Sequence, residues 1–319
     1  ILFVLIFGVV VVAHEFGHFL LAKANGIHVI EFSVGMGPNL FSFQKGDTKY
    51  SLKLLPIGGA CMFEGEDGLN EKEDGEDHSG SFLNANVWAR ISTVLAGPVF
   101  NFILGFVIAF IMVNLITTIR DPVATEIVDG GAAQEAGLQA GDRILSLNGS
   151  KIHLYEEIQL FTLTYRGGDV AVQYERDGVK GTTTLTPKYD ESTGRYMIGI
   201  SNADFVQLSG LDCFRYSWYE MRYCVTMTWK SLAMLVQGQV SRQDVAGPVG
   251  IAVNVVGKTY ETTKDYGWQN VLVSMLNITL MLTVNLGILN LLPVPALDGG
   301  RLVFLLWEAI THRPVPPEK

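Results

Sequence analysis

The residues best suited to chemistry are His14, Glu15 and His18, which form a His-Glu-x-x-His pattern near the start of the chain. On a helix, positions four apart lie on one face, one turn apart, so both imidazoles can bind one zinc ion. The intervening glutamate can then reach a water on the metal and accept its proton. Because the pattern also occurs by chance, its interpretation depends on the surrounding sequence.

An uncharged, apolar run over residues 1–13 precedes the motif, and apolar residues resume at Phe19. Together they predict a membrane span over 1–22 that contains three ionisable side chains. A charged residue at the centre of a span costs about 2.5–3.5 kcal/mol on insertion scales, which favours a functional reason for its presence. The alternative is that the motif lies at the membrane interface as an ordinary helix end.

A catalytic zinc usually has three protein ligands and one open position. Four other histidines lie in a predicted strand, in an acidic loop, in a soluble region and near the end of the chain (His28, His78, His153 and His312). Asp298 is a better candidate, because it ends a long uncharged run and precedes Gly299 and Gly300. An ordinary Asp-Gly turn after a helix is the alternative explanation.

Composition narrows the class of protein. The 319 residues are 48% hydrophobic and only 17% charged, as expected of a chain with several membrane spans. The net charge of −9 argues against nucleic-acid binding, which requires a basic surface. The three cysteines (Cys61, Cys213 and Cys224) show no metal-ligand spacing, and we expect free thiols.

The hydropathy pattern divides the chain into consecutive segments. We predict a first transmembrane helix over 1–22, a small, hairpin-like β region with an acidic loop over 23–86, a second transmembrane helix over 87–119, a soluble α+β domain over 120–204, an amphipathic region over 205–266, a third transmembrane helix over 267–300 and a C-terminal segment over 301–319. We expect a fragment trimmed at both ends. A fourth helix after residue 319 and a chain that ends on the surface are both compatible with the last segment.

The soluble segment has strand patterns at 123–128, 170–176 and 181–186, and a helical pattern at 155–165. Residues 137–149, with two turns around a short apolar strand, resemble the signature of a PDZ domain of the bacterial, circularly permuted kind. The resemblance implies a late peptide-docking loop, formed by Met197, Ile198, Gly199 and Ile200. In such a domain an extended peptide adds a strand to an exposed sheet edge.

Residues 214–236 are rich in Trp, Tyr and Met, with polar residues scattered through the run. This pattern predicts a helix within the amphipathic region. A helix that lies on the membrane surface and a helix packed on the soluble domain are equally compatible with it.

Two separated motifs carry a resemblance to a known family. The first span with its His-Glu-x-x-His, and the sequence Asn-Leu-Leu-Pro-Val-Pro-Ala-Leu-Asp-Gly at 290–299, resemble the paired motifs of site-2 proteases. With one PDZ domain between the second and third spans, the chain is similar to the bacterial members that carry out regulated intramembrane proteolysis. The resemblance covers essentially the whole length. It implies a multi-span α-helical membrane protein with a small membrane-associated β element and an inserted α+β PDZ domain.

The resemblance also implies roles for individual residues. His14, His18 and Asp298 match the ligands of Zn²⁺, and Glu15 matches the general base. Asn290 matches the polar residue that contacts the substrate or the developing oxyanion.

Other parts of the chain match binding and packing motifs of the family. Gly35, Met36 and Gly37 resemble the re-entrant β loop, which holds the substrate as an added strand. Residues 97–98 and Asn101 resemble a small-residue motif of the second span, and residues 247–251 resemble the segment that follows the PDZ domain.

The implied activity is hydrolysis of a peptide bond within or near the transmembrane segment of single-span membrane proteins, such as anti-sigma factors or remnant signal peptides. The implied location is the bacterial cell membrane, with the zinc near the cytoplasmic side and the PDZ domain outside. There the domain would dock new C-termini or exclude bulky ectodomains. Two alternatives remain: a zinc-binding transporter, which does not need Glu15 as a base, and a non-catalytic PDZ scaffold, which does not need zinc.

Overall fold

The computed structural model describes residues 1–66, 80–192, 194–239 and 247–313. The chain forms two compact units, one of Ile1–Ile108 with Arg242–Lys319 and the other of Ala109–Ser241. Most of the predicted acidic loop, with His78, lies outside the described residues.

The elements follow one another along the chain as follows. The helices are α1 (Leu2–Ala24), α2 (Val87–Ile116), α3 (Ala132–Glu135), α4 (Tyr155–Thr164), α5 (Leu211–Val236), α6 (Pro248–Gly250), α7 (Lys258–Thr263), α8 (Trp268–Asn290) and α9 (Asp298–Thr311). A π-helical stretch, Ile251–Gly257, joins α6 to α7, and a 3₁₀ turn, Lys264–Tyr266, follows α7. The strands are β1 (Val29–Lys45), β2 (Thr48–Phe63), β3 (Thr118–Ile127), β4 (Arg143–Leu147), β5 (Ser150–Lys151), β6 (Val170–Arg176), β7 (Val179–Leu185), β8 (Lys188–Asp190), β9 (Arg195–Met197) and β10 (Ile200–Gln207).

Among the described residues, three helices are long and apolar enough to cross a membrane, namely α1, α2 and α8. They have 23, 30 and 23 residues. At about 1.5 Å per residue, each exceeds the roughly 30 Å hydrocarbon core of a bilayer. The three predicted spans are therefore confirmed as candidate membrane helices. The first ends at Ala24 rather than at residue 22, and the second at Ile116 rather than at residue 119.

The hydropathy pattern predicts one span over 267–300, and the structure differs from this prediction. The helix α8 ends at Asn290, and Asp298 begins the separate helix α9. Pro293 and Pro295 lie between them. Proline has no backbone N–H to donate, and its ring restricts the preceding residue to extended conformations, so the helix cannot continue through this sequence.

The turn between α8 and α9 packs closely on the first residues of α9. A Cβ on Gly299 would lie 2.2 Å from the carbonyl oxygen of Leu292, and a Cβ on Gly300 would lie 2.5 Å from that of Val294. Only glycine permits this approach, so the two glycines after Asp298 fix where its carboxylate lies.

The predicted β element is a sheet built from β1 and β2, which both bend in the middle. Phe32 is paired with Cys61 on one side and with Tyr50 on the other, so the first half of β1 lies between the two ends of β2. The bends coincide with Gly35 (φ +90°) and Gly58 (φ +85°), which adopt a backbone conformation that favours glycine. Residues 59–63 pair with β1 on one side only, which leaves them as an edge of this sheet.

The base of this sheet is held in an apolar core that also includes parts of α1, α2 and α9. Its buried residues are Ala22, Ile27, Val29, Phe63, Phe82, Ile91, Val94, Leu302 and Leu305. Arg90 at the start of α2 forms an ion pair with Glu308 of α9, and it also donates to the carbonyl oxygen of Ala85. The pair fastens α9 to the rest of this unit.

The second unit is an α+β structure around a six-stranded sheet, and β8 and β9 form a separate two-stranded sheet. The strands of the larger sheet lie in the order β10-β3-β4-β6-β7, and β5 pairs with β4. The predicted strands correspond to β3, β6 and β7, and the predicted helix at 155–165 corresponds to α4. The chain enters and leaves this sheet at neighbouring points, because the backbone N–H of Leu208, after β10, donates to the carbonyl oxygen of Thr117, before β3, at 2.7 Å.

The helix α5 combines features of the two arrangements left open for residues 214–236. One face is buried in this unit, where Cys213 and Tyr216 pack with Ile119, Leu154 and other apolar residues. The opposite face leaves large apolar side chains exposed, namely Leu211, Phe214, Trp218 and Trp229. All three cysteines of the chain are free thiols, as expected.

We expect the ion pair between Arg90 and Glu308 to show the cost of leaving one buried charge unpaired. Arg90→Leu or Glu308→Leu alone should destabilise the protein by about 3–5 kcal/mol, whereas the double variant should be close to the wild type. Thermal unfolding of the purified protein in detergent measures this difference. A double variant that is as unstable as the sum of the singles would show that the two side chains act independently.

Candidate metal centre

Both motif histidines are on the face of α1 that packs against α2. His14 and His18 are each 7% exposed, one helical turn apart. Gly97 of α2 lies directly against them, because a Cβ at this position would be 2.2 Å from His18 Nε2. Gly17 allows an equally close approach in the other direction, since its Cβ would be 2.4 Å from the carbonyl oxygen of Ala96. The two glycines therefore set the spacing of the helices at the imidazoles.

Three potential ligand atoms converge at this point. His14 Nε2 and His18 Nε2 lie 3.2 Å apart, and Asp298 Oδ2 lies 3.1 Å from the first and 3.4 Å from the second. Among the described residues, these three form the one group of histidine, cysteine or carboxylate side chains arranged to hold a metal ion.

This triangle matches the geometry that zinc requires. Ligands at about 2.0–2.1 Å from a tetrahedral ion are separated by about 3.3–3.4 Å, close to the observed distances. Asp298 Oδ2 is also buried and has no hydrogen-bond partner that satisfies normal geometry. Two imidazoles and one carboxylate form a common ligand set of catalytic zinc sites. The residues present therefore fit a zinc ion.

The protonation of the group is compatible with metal binding. Burial acts to raise the pKa of Asp298, but the adjacent imidazoles of His14 and His18 outweigh it and hold the pKa well below its usual range. The carboxylate is therefore ionised, as a ligand must be. The backbone carbonyl oxygen of Thr93 lies 2.9 Å from His18 Nδ1 and accepts its proton, which leaves the Nε2 lone pair of His18 directed at the cluster.

Glu15 and Asn290 lie at the same place. Both line a cavity of about 480 Å³ together with His14, His18 and Asp298. Asn290 Nδ2 is 3.4 Å from His14 Nε2, so its amide can reach a group bound at the cluster. The structure thus brings together all five residues that the sequence assigned to the metal and to catalysis.

The sheet edge at 59–63 forms another wall of this cavity. Gly59 lies against the catalytic candidate, because a Cβ there would be 2.8 Å from Glu15 Cγ. The backbone amide of Cys61 also lies near the Glu15 side chain. The site residues predicted from the sequence do not include this edge, although the adjacent glycines Gly58 and Gly59 indicate a close approach of the backbone.

Gly35, Met36 and Gly37 do not line the cavity. Gly35 lies at the bend of β1, and Met36 pairs with Leu55 and is 57% exposed. Their assignment to substrate binding stays a prediction.

The four residues assigned to peptide docking lie in the second unit. Ile198 and Ile200 are buried in its core. The carbonyl oxygens of Ile198 and Gly199 already accept hydrogen bonds from Ala133 and Val128. Met197 remains partly exposed.

The other described histidines that were candidate ligands are not part of the metal cluster. His28 Nδ1 lies 2.9 Å from a carboxylate oxygen of Glu64, at the base of the β1–β2 sheet. His153 stacks on Tyr219 in the second unit. His312 ends α9 in the left-handed conformation.

Comparisons with known proteins agree with this geometry. A model of peptidase family M50 matches residues 2–319. A putative zinc metalloprotease of Clostridium acetobutylicum is 34% identical over 316 residues, which cover 99% of this chain and 88% of that protein. The zinc metalloprotease RasP of Bacillus licheniformis is 33% identical over 400 residues, with 100% and 92% covered. The regulator of sigma-W protease RasP of Bacillus subtilis is 31% identical over 397 residues, with 100% and 92% covered.

The family match extends over essentially the whole chain. All three relatives are named as proteases, and two of the names specify zinc. The buried cluster of two histidines and one carboxylate provides the ligands that a zinc protease needs, and the adjacent glutamate provides its base. The chain belongs to peptidase family M50, the site-2 proteases, and is a zinc metalloprotease of the bacterial membrane.

Proposed function

We propose that this protease cleaves single-span membrane proteins within or near their transmembrane segments. The observation that carries the proposal is the position of the ligand triangle, on an apolar helix long enough to span a bilayer. A bond cleaved there belongs to a segment that is itself in or next to the membrane. Anti-sigma factors and remnant signal peptides are the substrate types we favour, and the name of the Bacillus subtilis relative, a regulator of sigma-W, is compatible with the former.

In this proposal His14, His18 and Asp298 hold the zinc ion. When bound, zinc acidifies a coordinated water and polarises the carbonyl group of the scissile peptide bond. Glu15 accepts a proton from the attacking water and passes it to the amine nitrogen that leaves. Asn290 donates its amide N–H toward the carbonyl oxygen as negative charge develops on that atom.

The substrate must expose its backbone before it can be cut, because a helix in a bilayer hides its amides in internal hydrogen bonds. A free sheet edge can replace those hydrogen bonds by pairing with the unwound segment. We propose that residues 59–63 provide this edge, since they line the cavity beside Glu15. This moves the docking strand from the region predicted first, around Gly35 and Gly37, to the outer segment of the same sheet.

We also propose that the second unit is a PDZ domain on the extracytoplasmic side. Its sheet ends at β10, whose outer edge is free among the described strands, which supports docking of an extended peptide. The domain would exclude substrates with bulky ectodomains or receive a new C-terminus after a first cleavage. The zinc would then lie toward the cytoplasmic side.

Glu15→Gln tests the catalytic assignment. Glutamine keeps the size of the side chain but cannot accept the proton, so cleavage should fall by about 10²–10⁴-fold while zinc content is unchanged. Cleavage of a tagged single-span substrate in cells, with metal analysis of the purified protein, measures both. Glu135→Gln, at an exposed position of the second unit, is the matched control. Equal cleavage by wild type and Glu15→Gln would favour the transporter or scaffold alternatives.

Disulfide cross-linking tests the docking edge, because the chain has a native cysteine there. Substrates with single cysteines at successive positions should cross-link to Cys61 at every second position, since neighbouring side chains of a strand point to opposite faces. The experiment uses the Glu15→Gln protein to retain uncut substrate. Cys213 and Cys224 are buried and give little background.

The matched comparison for that experiment is a Cys61→Ser, Met36→Cys protein. We expect it to give no regular cross-linking pattern. Alternating cross-links at residue 36 and none at Cys61 would return the docking strand to the region around Gly35.

Excision of residues 118–207, from β3 to β10, tests whether the sheet of the second unit excludes bulky substrates. A short glycine linker can close the gap, because the ends at Thr117 and Leu208 are hydrogen-bonded to each other. We expect the shortened chain to cut a substrate that keeps its full ectodomain, which the intact chain leaves uncut. Cleavage of a pre-trimmed substrate checks that the metal site persists. Unchanged selectivity between the two substrates would exclude the filter role.

A further inference from the structure

We propose that Asn101 is a positioning residue that fixes His14 in the tautomer required for zinc binding, and that Thr283 in turn fixes the orientation of the Asn101 amide. The inference rests on the proposed metal site and extends it to two residues on different membrane helices, α2 and α8. Neither side chain touches the substrate cavity.

The contact on which the proposal depends is between the Asn101 amide and the imidazole nitrogen that faces away from the cluster. The Asn101 amide lies 3.1 Å from His14 Nδ1. Asn101 and Thr283 are both completely buried. In α2, Asn101 follows Gly97 by four residues, as Gly97 follows Thr93, so the three residues form one stripe beneath the two imidazoles.

Metal binding through His14 Nε2 requires the proton of the neutral ring to be on Nδ1. That N–H needs an acceptor. Asn101 Nδ2 is placed 3.1 Å from His14 Nδ1, and a half-turn of the amide brings the side-chain oxygen to this position, where it accepts the proton. If the amide instead directed its N–H₂ group at Nδ1, the proton would be on Nε2. It would then point at His18 Nε2, 3.2 Å away, and block the ligand position.

The surroundings of Asn101 favour the orientation that metal binding requires. A half-turn of the amide exchanges its oxygen and nitrogen without moving any other atom. Thr283 Oγ1 lies 3.1 Å from the Asn101 backbone carbonyl oxygen, to which it donates. It also lies 3.4 Å from Asn101 Oδ1, the position that the amide nitrogen takes after the half-turn. With oxygen toward His14, the amide nitrogen donates to Thr283 Oγ1, and every polar group in the chain of contacts has a partner.

The two imidazoles are thus held by different means from the same helix. His18 Nδ1 donates to the backbone carbonyl oxygen of Thr93, which has only one orientation. His14 depends on a side chain whose orientation must be set by a third residue. Close packing keeps that residue in place, because a Cβ on Gly287, one turn after Thr283 in α8, would lie 3.4 Å from Asn101 Cβ.

A purely structural role is the competing explanation, since buried polar side chains also join membrane helices by hydrogen bonds. The two roles differ in what they require of the side chain. Helix association needs any hydrogen-bonding partner for Thr283, whereas the positioning role needs an acceptor at His14 Nδ1. Asn101→Asp keeps the acceptor and the shape, and Asn101→Ala removes the acceptor.

The test measures the zinc dissociation constant of the full chain in detergent by competition with a chelator of known affinity. We expect Asn101→Ala to bind zinc about 10–100-fold more weakly than wild type, the usual effect of losing the partner of a histidine ligand. Asn101→Asp should recover most of that loss. Thr283→Val, which keeps the shape but removes the hydroxyl, should weaken binding by a smaller factor.

Asn114→Ala is the matched control on α2, because the Asn114 side chain is exposed and donates to the carbonyl oxygen of Phe110 in the same helix. Nitrogen-15 NMR of His14 in the zinc-free protein gives a second readout, with Nδ1 protonated in wild type and a mixture of tautomers in Asn101→Ala. Thermal unfolding of the same samples reports any structural loss.

Wild-type zinc affinity in Asn101→Ala, or an Asn101→Asp protein as weak as Asn101→Ala, would overturn the inference while leaving the metal site in place. A wild-type chain that binds no zinc would overturn the proposed metal site itself, and this inference with it. The two failures are therefore distinguishable.

Discussion

The first unit depends on placing three ionisable side chains inside an apolar helix assembly without leaving any of them unsatisfied. Each of His14, His18 and Asp298 would be costly there alone, by a few kcal/mol on insertion scales. Together they share one point, with their ring nitrogens and carboxylate oxygen 3.1–3.4 Å apart. The close spacing of α1 and α2 at Gly17 and Gly97 follows from this requirement, because a larger distance between the two helices would separate the ligands.

The sheet beside α1 meets a second requirement of hydrolysis in a membrane. Water and an extended substrate both need polar groups, which helices in lipid do not offer because their amides are already paired. Strand residues 59–63 present backbone groups to the cavity, and Gly59 brings them next to Glu15 without a side chain in between. Non-helical backbone at this depth is tolerated where it lines a cavity of this kind.

The sequence was sufficient for the spans and for the residues at the cluster, because both leave local signals. Long uncharged runs mark the helices, and ionisable residues are conspicuous within them. The limits of the third span were less predictable, since hydropathy alone does not distinguish α8 from the turn at Pro293 and Pro295. Their effect on the backbone, rather than their polarity, ends the helix.

The parts of the site that sequence analysis did not assign depend on contacts between distant segments. The strand at 59–63 became a cavity wall only because β1 and β2 both bend, which places one end of β2 beside Glu15. Asn101 was visible as part of a motif, but its partner Thr283 lies far along the chain on another helix. Neither pairing has a period or spacing that a single sequence can display.

The placement of Asp298 after the last of the three long helices has a consequence for biosynthesis. The two histidines are made well before the carboxylate, which lies on a short helix that must fold back onto the first. A partly synthesised chain that lacks α9 therefore holds an incomplete ligand set, and hydrolytic competence can arise only after α9 has been made. The order of the ligands along the chain thus makes hydrolysis depend on prior synthesis of all three long helices.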